Sequence, residues 1–367
     1  MPLYLTEDQA MLRDTARDFM ANEGSVAKQL RKYRDMNCKD GFGHALWKQF
    51  GEMGFTGILV DEADGGLGLG NVEAGIVLEE IGRNLTPSPF LITAVAVATA
   101  LKSAQDEVRA RWIPGILAGD VVAALATDEG PKHRSFEVAM TATRAGNGFK
   151  LSGEKRFVVQ GASADLIIVS ARTDDGIALF AVERGTEGLA VDPARLVDSS
   201  IGAHMRFDNV VVEAPIGDEL SLRRVLRAGR VGAASELVGI GTAKAEGTVA
   251  YLKERKQFGR TIGEYQALQH RQADLYSELE IARAAALKAQ QLLDEDHEDA
   301  AAMSHVAKAK AGRASTQAVQ EGVQMFGGVG MTDEYDIGLY MKRDRALNEL
   351  FGDPNYHAHR LAVLKGY

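Results

Sequence analysis

Gln324-Met325-Phe326-Gly327-Gly328-Val329-Gly330-Met331 closes a long helical run with three glycines inside four residues. Glycine has no Cβ, so it supplies the left-handed turn that ends a helix, and it leaves room for a ligand or a second chain beside the backbone. Taken alone, the octapeptide reads as a helix C-cap and a turn. A second stretch changes that reading: Glu254-Arg255-Lys256-Gln257-Phe258-Gly259 also sits at a helix end and joins a bidentate cation to an aromatic residue and a glycine.

Outward from these two stretches the chain divides by texture. Thr261-Ile262-Gly263-Glu264 has a capping-box pattern, and Leu268, Leu275, Leu279, Ala282, Ala286, Ala289 and Leu293 then recur in steps of three, four and seven, one seam of a helix bundle. Ala and Gly crowd residues 228–247, which predicts close approach of helix backbones. Lys308, Lys310 and Arg313 read as cations on the later turns of the following helix. Before this lies a stretch of short apolar runs bounded by Gly, Asn or Asp: 121–126, 149–151, 156–159, 166–169, 177–182 and 207–212, with Asn147-Gly148 the clearest hairpin turn. They predict a small β-barrel or sandwich.

The first residues are helical again. Thr6-Glu7-Asp8-Gln9 is a second capping box, with Leu12, Ala16, Phe19 and Met20 on one stripe. Further helices are expected over 42–53, 72–81, 94–102 and 106–117. The run Asp64-Gly65-Gly66-Leu67-Gly68-Leu69-Gly70 lacks dinucleotide-fingerprint spacing and reads as a loop. The expectation is an α+β chain in three domains: helices over 1–119, a β-domain over 120–218 and a helix bundle over 219–367.

At 367 residues, with 46% hydrophobic and 25% charged residues, the composition is that of a soluble globular protein. A formal charge of -9 argues against a nucleic-acid surface. Cys38 is the single cysteine, so neither an intrachain disulfide nor a cysteine-based metal site can form, which fits a cytoplasmic location. There is no signal peptide pattern, and no apolar run approaches the roughly 20 residues that span a bilayer.

The two motifs, with the order helices, β-domain, bundle over the full length, resemble the acyl-CoA dehydrogenase family, whose members carry Arg-Lys-x-Phe-Gly and, further on, Gln-x-x-Gly-Gly-x-Gly. The resemblance implies FAD, an acyl-CoA substrate, electron-transfer flavoprotein as a partner, and a homo-oligomer or a heterotetramer with a related chain. By the same resemblance, Arg255, Gln257, Phe258, Ile262, Tyr265, Gln266, Gln324, Gly327 and Gly328 match the residues that hold the ADP end of FAD. A guanidinium suits a pyrophosphate because its planar fork bonds oxyanions in pairs; the plain alternative is an ion pair of Arg255 with Glu254 or Glu264. Leu125, Thr127, Phe157 and Val159 match the flavin side.

The flavin side departs from the family pattern. Where members read Thr-Glu-Pro-Gly-Ala-Gly-Ser-Asp, this chain reads Thr127-Asp128-Glu129-Gly130-Pro131-Lys132-His133-Arg134-Ser135, with cations in place of the Gly-Ser region. Val159 lacks the hydroxyl that family members offer the flavin ring. Desaturation of an acyl-CoA needs a carboxylate at the α-carbon, yet the family's two positions for it fall on Gly352 and on Gly229, just before Arg230. Asp353, one residue beyond the first position, is the candidate base, and equally an N-cap before Pro354. Glu349 reads as a helix-surface residue, and His357 and His359 as solvated, so no metal site is expected. The ending Leu350-Phe351-Gly352-Asp353 resembles the small subunit of pimeloyl-CoA dehydrogenase and the base-lacking chain of paired acyl-CoA dehydrogenases. The readings are a dehydrogenase carrying its own base, a partner chain that completes another subunit's FAD site, and an acyl-CoA oxidase-like relative.

Overall fold

The computed structural model describes residues 3–367. Among them the helices are α1 (Glu7–Asn22), α2 (Lys32–Asp35), α3 (His44–Glu52), α4 (Asn71–Asn84), α5 (Ala98–Leu101) and α6 (Asp106–Leu117) before the strands, then α7 (Glu219–Glu254), α8 (Gln266–Asp294), α9 (Ala300–Phe326), α10 (Ile337–Glu349) and α11 (Pro354–Leu364) after them. The strands are β1 (Ala123–Ala126), β2 (Thr141–Ala145), β3 (Gly148–Val159), β4 (Leu166–Thr173), β5 (Gly176–Glu183), β6 (Leu189–Arg195), β7 (Ile201–Val212) and β8 (Gly217–Asp218), with a small hairpin of β9 (Lys256–Gln257) and β10 (Arg260–Thr261). The chain is therefore α+β, with N-terminal helices, a middle sheet and C-terminal helices. By packing it forms two compact units, residues 29–74 with 87–229 and residues 1–28 with 75–86 and 230–367.

In the first of these, the sheet runs β6-β7-β3-β2-β4-β5-β8, with β1 added parallel to β4 from Ala123↔Leu166 to Ala126↔Val169. All four residues of β1 are buried. The helices are tied to that strand by polar contacts: Thr93 Oγ1 both donates to Ala123 O and accepts from Ala123 N at 2.9 Å, and the Trp47 indole donates to Val121 O at 3.1 Å. Trp47, Phe50, Phe55 and Phe90 pack ring against ring around Phe50, at 5.8–5.9 Å between centroids. The long antiparallel pair β3–β7 shifts register between Lys155 and Val158, where three steps along β3 oppose two along β7. Such a bulge re-aims a side chain. Here it holds Phe157 at φ +53°, 58% exposed.

The second unit is the helix bundle. Its closest crossing is between α4 and α7: a Cβ added to Gly82 would lie 2.1 Å from Glu236 O, and one added to Gly239 would lie 2.0 Å from Glu79 O. Only glycines let the two backbones touch there. Leu275, Leu279, Ala282, Ala286 and Ala289 of α8 are buried, the seam predicted from their spacing. Both capping boxes form, Thr6 with Gln9 and Thr261 with Glu264.

Candidate functional site

The two motifs meet at one corner of the bundle unit. Tyr251, one turn before Arg255, stacks on Phe326 with centroids 4.0 Å apart and planes 12° from parallel. Tyr335 closes edge-on against Phe326 at 5.5 Å. This aromatic contact brings the end of α7 against the end of α9. Beyond α7, Phe258 and Gly259 form a two-residue loop at φ +54° and +79° between the paired strands β9 and β10. Two positive φ values in succession match the strand twist of a tight hairpin, and a bulky residue there is strained. The loop presents Phe258 at 88% exposure.

Arg255 is exposed beside it, and no carboxylate among the described residues pairs with its guanidinium. Glu264 is engaged instead by the Thr261 N–H at 3.3 Å. Gln324, Gly327 and Gly328 are exposed, and a Cβ built on either glycine meets nothing within 4 Å. Gly327 sits at φ 65° and ψ -142°, a conformation open to glycine alone. Ile262, Tyr265 and Gln266 follow the hairpin, with Tyr265 under the Arg260 guanidinium at 4.4 Å. An unpaired guanidinium, an exposed ring and open glycine backbone fit an anionic, flat-ringed ligand such as the ADP portion of FAD.

In the sheet unit, Leu125 and Thr127 lie at the end of β1, 8% and 6% exposed. The loop after them is held from inside. Asp128 accepts from His133 Nδ1, the Arg134 N–H and Ser135 Oγ, each at 2.9 Å, and Ser135 Oγ, its one proton given to Asp128, lies 3.1 Å from Thr127 Oγ1. His133 is thus folded into the loop, leaving Lys132 and Arg134 as the cations at its surface. Ser135 and Asp128 both converge on the same His133 nitrogen, so the set cannot relay a proton as a nucleophile triad does, which needs both ring nitrogens. Burial opposes ionisation of Asp128, but the bonds from His133, Arg134 and Ser135 outweigh it and hold the carboxyl below its usual range. The unfolded chain therefore takes up the proton first: the stability from Asp128 is complete above about pH 4 and is lost as pH falls through the folded value. Acid unfolding should be shallower for Asp128→Asn than for the wild type below about pH 4, and coincident urea midpoints across that range would refute it.

Beneath the same loop, Lys155 is fully buried, donating to Glu129 Oε1 at 2.7 Å, Ser170 Oγ at 3.1 Å and Thr127 O at 3.3 Å. Thr127 is therefore tied into a buried polar network. Val159 offers no hydroxyl, and Phe157 offers an exposed ring face.

At the chain's end the structure gives each candidate base a definite role. Asp353 Oδ1 accepts from the Asn355 N–H at 2.9 Å and the Tyr356 N–H at 2.8 Å, with Pro354 at the first position of α11, a complete N-cap. Gly352 has φ +104°, and a Cβ there would lie 2.5 Å from the Tyr356 ring and 3.1 Å from His357 Nε2. Glu349 pairs with Arg345 on the helix surface at 3.0 Å.

Two expectations are corrected here. His357 is fully buried rather than solvated; its Nδ1 lies 2.8 Å from His305 Nδ1. Arg230 Nη1 donates to Ser304 Oγ at 3.1 Å and to His305 Nε2 at 3.2 Å. A guanidinium only donates, so His305 accepts at Nε2, carries its proton on Nδ1 and gives it to His357 Nδ1, which leaves the His357 proton on Nε2. Lys308, read as a cation on the later turns of its helix, is instead interior and in the first half of α9. It is 0% exposed, and its ammonium is 3.1 Å from each of the carbonyls of Leu347, Asn348 and Gly352. Burial pushes it down to about 7 against the pull of Asp344. His359 is exposed, and no group of His, Cys, Asp or Glu among the described residues could hold a metal ion.

Family models for the acyl-CoA dehydrogenase N-terminal, middle and C-terminal domains match residues 6–120, 123–210 and 219–363. The acyl-CoA dehydrogenase FadE12 of Mycobacterium tuberculosis is 30% identical, over 93% of this chain and 91% of its own length. Among solved structures, the Tcur3481-Tcur3483 steroid ACAD is 27% identical with a TM-score of 0.91, covering 98% of both chains. The ChsE4-ChsE5 complex from Mycobacterium tuberculosis shares the fold at a TM-score of 0.91 and 23% identity, covering all of both chains. The chain belongs to the acyl-CoA dehydrogenase family, FAD-dependent oxidoreductases of acyl-CoA metabolism. No helix among the described residues is long and apolar enough to cross a membrane.

Proposed function

We propose that this chain takes part in FAD-dependent α,β-desaturation of an acyl-CoA thioester as one half of a hetero-oligomer, in which a related chain supplies the catalytic carboxylate. The observation that carries this is Gly352: its positive φ and the Tyr356 and His357 side chains around it leave no room for a glutamate. Asp353, the next residue, is committed to two backbone N–H groups. That two of the similar structures bear paired names, Tcur3481-Tcur3483 and ChsE4-ChsE5, supports the reading.

FAD, when bound, accepts the hydride that leaves the β-carbon. This chain's part is to hold and orient. Arg255, Gln257, Phe258, Ile262, Tyr265, Gln266, Gln324, Gly327 and Gly328 would hold the ADP end of FAD, the Arg255 guanidinium supplying paired bonds to an oxyanion and the two glycines leaving open backbone. The flavin-side residues Leu125, Thr127, Phe157 and Val159 make a poorer set, and electron-transfer flavoprotein is the proposed acceptor. The sequence is read as three domains, 1–119, 120–218 and 219–367, in a cytoplasmic protein.

Arg255→Lys should lower flavin retention, because an ammonium cannot make the paired bonds of a guanidinium. Flavin per chain, read from the visible spectrum after extensive dialysis, should fall while the far-UV spectrum is unchanged; full occupancy would sink the assignment. Asp353→Asn should leave acyl-CoA bleaching of the assembled enzyme at the wild-type rate and alter stability by less than about 1 kcal/mol, since Asn caps nearly as well. Loss of bleaching with FAD still bound would instead make Asp353 the base.

A further inference from the structure

Arg255 and the open glycines stand at the ends of two different helices, α7 and α9, so a ligand held by both needs the spacing of those ends fixed. Among the described residues, no hydrogen bond or ion pair runs between residues 254–266 and residues 324–331. What joins the two stretches is the stack of Tyr251 on Phe326, with centroids 4.0 Å apart and planes 12° from parallel.

Each ring is linked to a site residue by a short backbone path. The Arg255 N–H donates to Tyr251 O at 2.9 Å, which fixes Arg255 one turn beyond the ring. Phe326 is the last residue of α9 and directly precedes Gly327, where φ 65° and ψ -142° turn the chain out of the helix. Phe326 is braced on its other sides as well. Tyr335 meets it edge-on at 5.5 Å, and the turn folds back over it at Gly330, where a Cβ would lie 2.9 Å from Val323 O and 3.1 Å from Phe326 Cβ. Its neighbour Met325 is buried and accepts from Gln272 Nε2 of α8 at 3.1 Å.

We propose that Tyr251 is a positioning residue for the cofactor: its ring does not touch the ligand, and its stack on Phe326 sets the spacing at which Arg255 and the Gly327–Gly328 backbone meet one ADP group together. This rests on the reading of those residues as the holder of the ADP end of FAD. Two groups on separate helices bind one ligand tightly when their spacing is set beforehand, because ordering them on binding subtracts from the affinity. Both rings are half-buried, so the stack lies at the edge of the bundle and its loss hollows no core. Leucine at position 251 keeps apolar bulk and loses the flat face that aligns with Phe326.

Titration calorimetry of the purified full chain with ADP, the probe for the end of the cofactor that this corner would hold, tests the proposal. Tyr251→Leu and Phe326→Leu should each weaken ADP at least about ten-fold, a difference of about 1.4 kcal/mol, with an unchanged far-UV spectrum. Tyr251→Phe, which keeps the ring, should bind as the wild type does. Because either leucine breaks the same stack, the double variant should lose no more than about two-fold beyond the weaker single variant. Wild-type affinity in Tyr251→Leu would overturn the positioning role and leave the ADP reading standing. Losses that add in the double variant, as for two rings that each touch the ligand, would do the same. Failure of the wild type to bind ADP, or undiminished binding by Arg255→Lys, would instead sink the ADP reading and the positioning role with it. Should Tyr251→Leu fail to fold, Phe326→Leu and Tyr251→Phe decide: loss in the first with retention in the second supports the stack, and any other pair of results overturns it.

Discussion

Lys308→Met should lower the stability of the chain by about 3–5 kcal/mol, the scale of removing one partner from a buried charged network. Leu347 and Asn348 belong to the last turn of α10, whose carbonyls have no partner further along the helix. Lys308 satisfies both and adds Gly352 O, so one side chain from α9 fastens the end of α10 to the turn that leads into α11. Methionine fills similar volume without donating and strands three buried acceptors. The urea midpoint should fall, and amide protection should drop first at Tyr356 and His357, on the first turn held by the Asp353 cap. A midpoint within about 1 kcal/mol of the wild type would mean that the carbonyls find other donors.

Features that depend on neighbours in sequence were legible. The capping boxes, the α8 seam and the Asp353-Pro354 cap are local chemistry, and they stand where the spacing predicts. Strands β6 and β2 were not. β6 is exposed along its length and carries Pro193, tolerated because it lies at the sheet's edge, and β2 buries only Ala142 among its exposed neighbours; neither shows the alternation that marks a half-buried strand.

Interior charges were illegible for a different reason. Lys308 stands one residue from Ala307 and Ala309 exactly as a surface cation would, and its burial is decided by carbonyls some forty residues away. His357 is decided in the same way by His305 and Arg230. The two motifs were legible in the sequence, while the stack of Tyr251 on Phe326 that brings them together lies just outside one motif and had no periodic signature.

Co-expression with a related acyl-CoA dehydrogenase chain that carries its own glutamate should yield an α2β2 complex with two FAD in four chains, whereas this chain purified alone should show no acyl-CoA-dependent bleaching. The candidate site residues are in unequal condition. Arg255, Phe258, Gln324, Gly327 and Gly328 are exposed, open and unencumbered, which is what a surface serving a neighbour's cofactor requires. In the sheet unit, Val159 lacks a hydroxyl and the Thr127–Ser135 loop is bonded within itself; in the bundle unit, Gly352 is closed by Tyr356 and His357. A homodimer would combine each sound half with an unsound one, so every site would fail. A heterodimer would build one sound site from the partner's β-domain and base and this chain's ADP corner. Gly352→Glu should not restore turnover to the chain alone, because the new side chain would collide with the Tyr356 ring and displace His357 from the Arg230-anchored chain of hydrogen bonds. The rate difference between complex and single chain should exceed about a thousand-fold, the scale of losing a general base with part of its electrostatic setting. Turnover by the single chain, with one FAD in each copy, would place the whole reaction within it and make the partner dispensable.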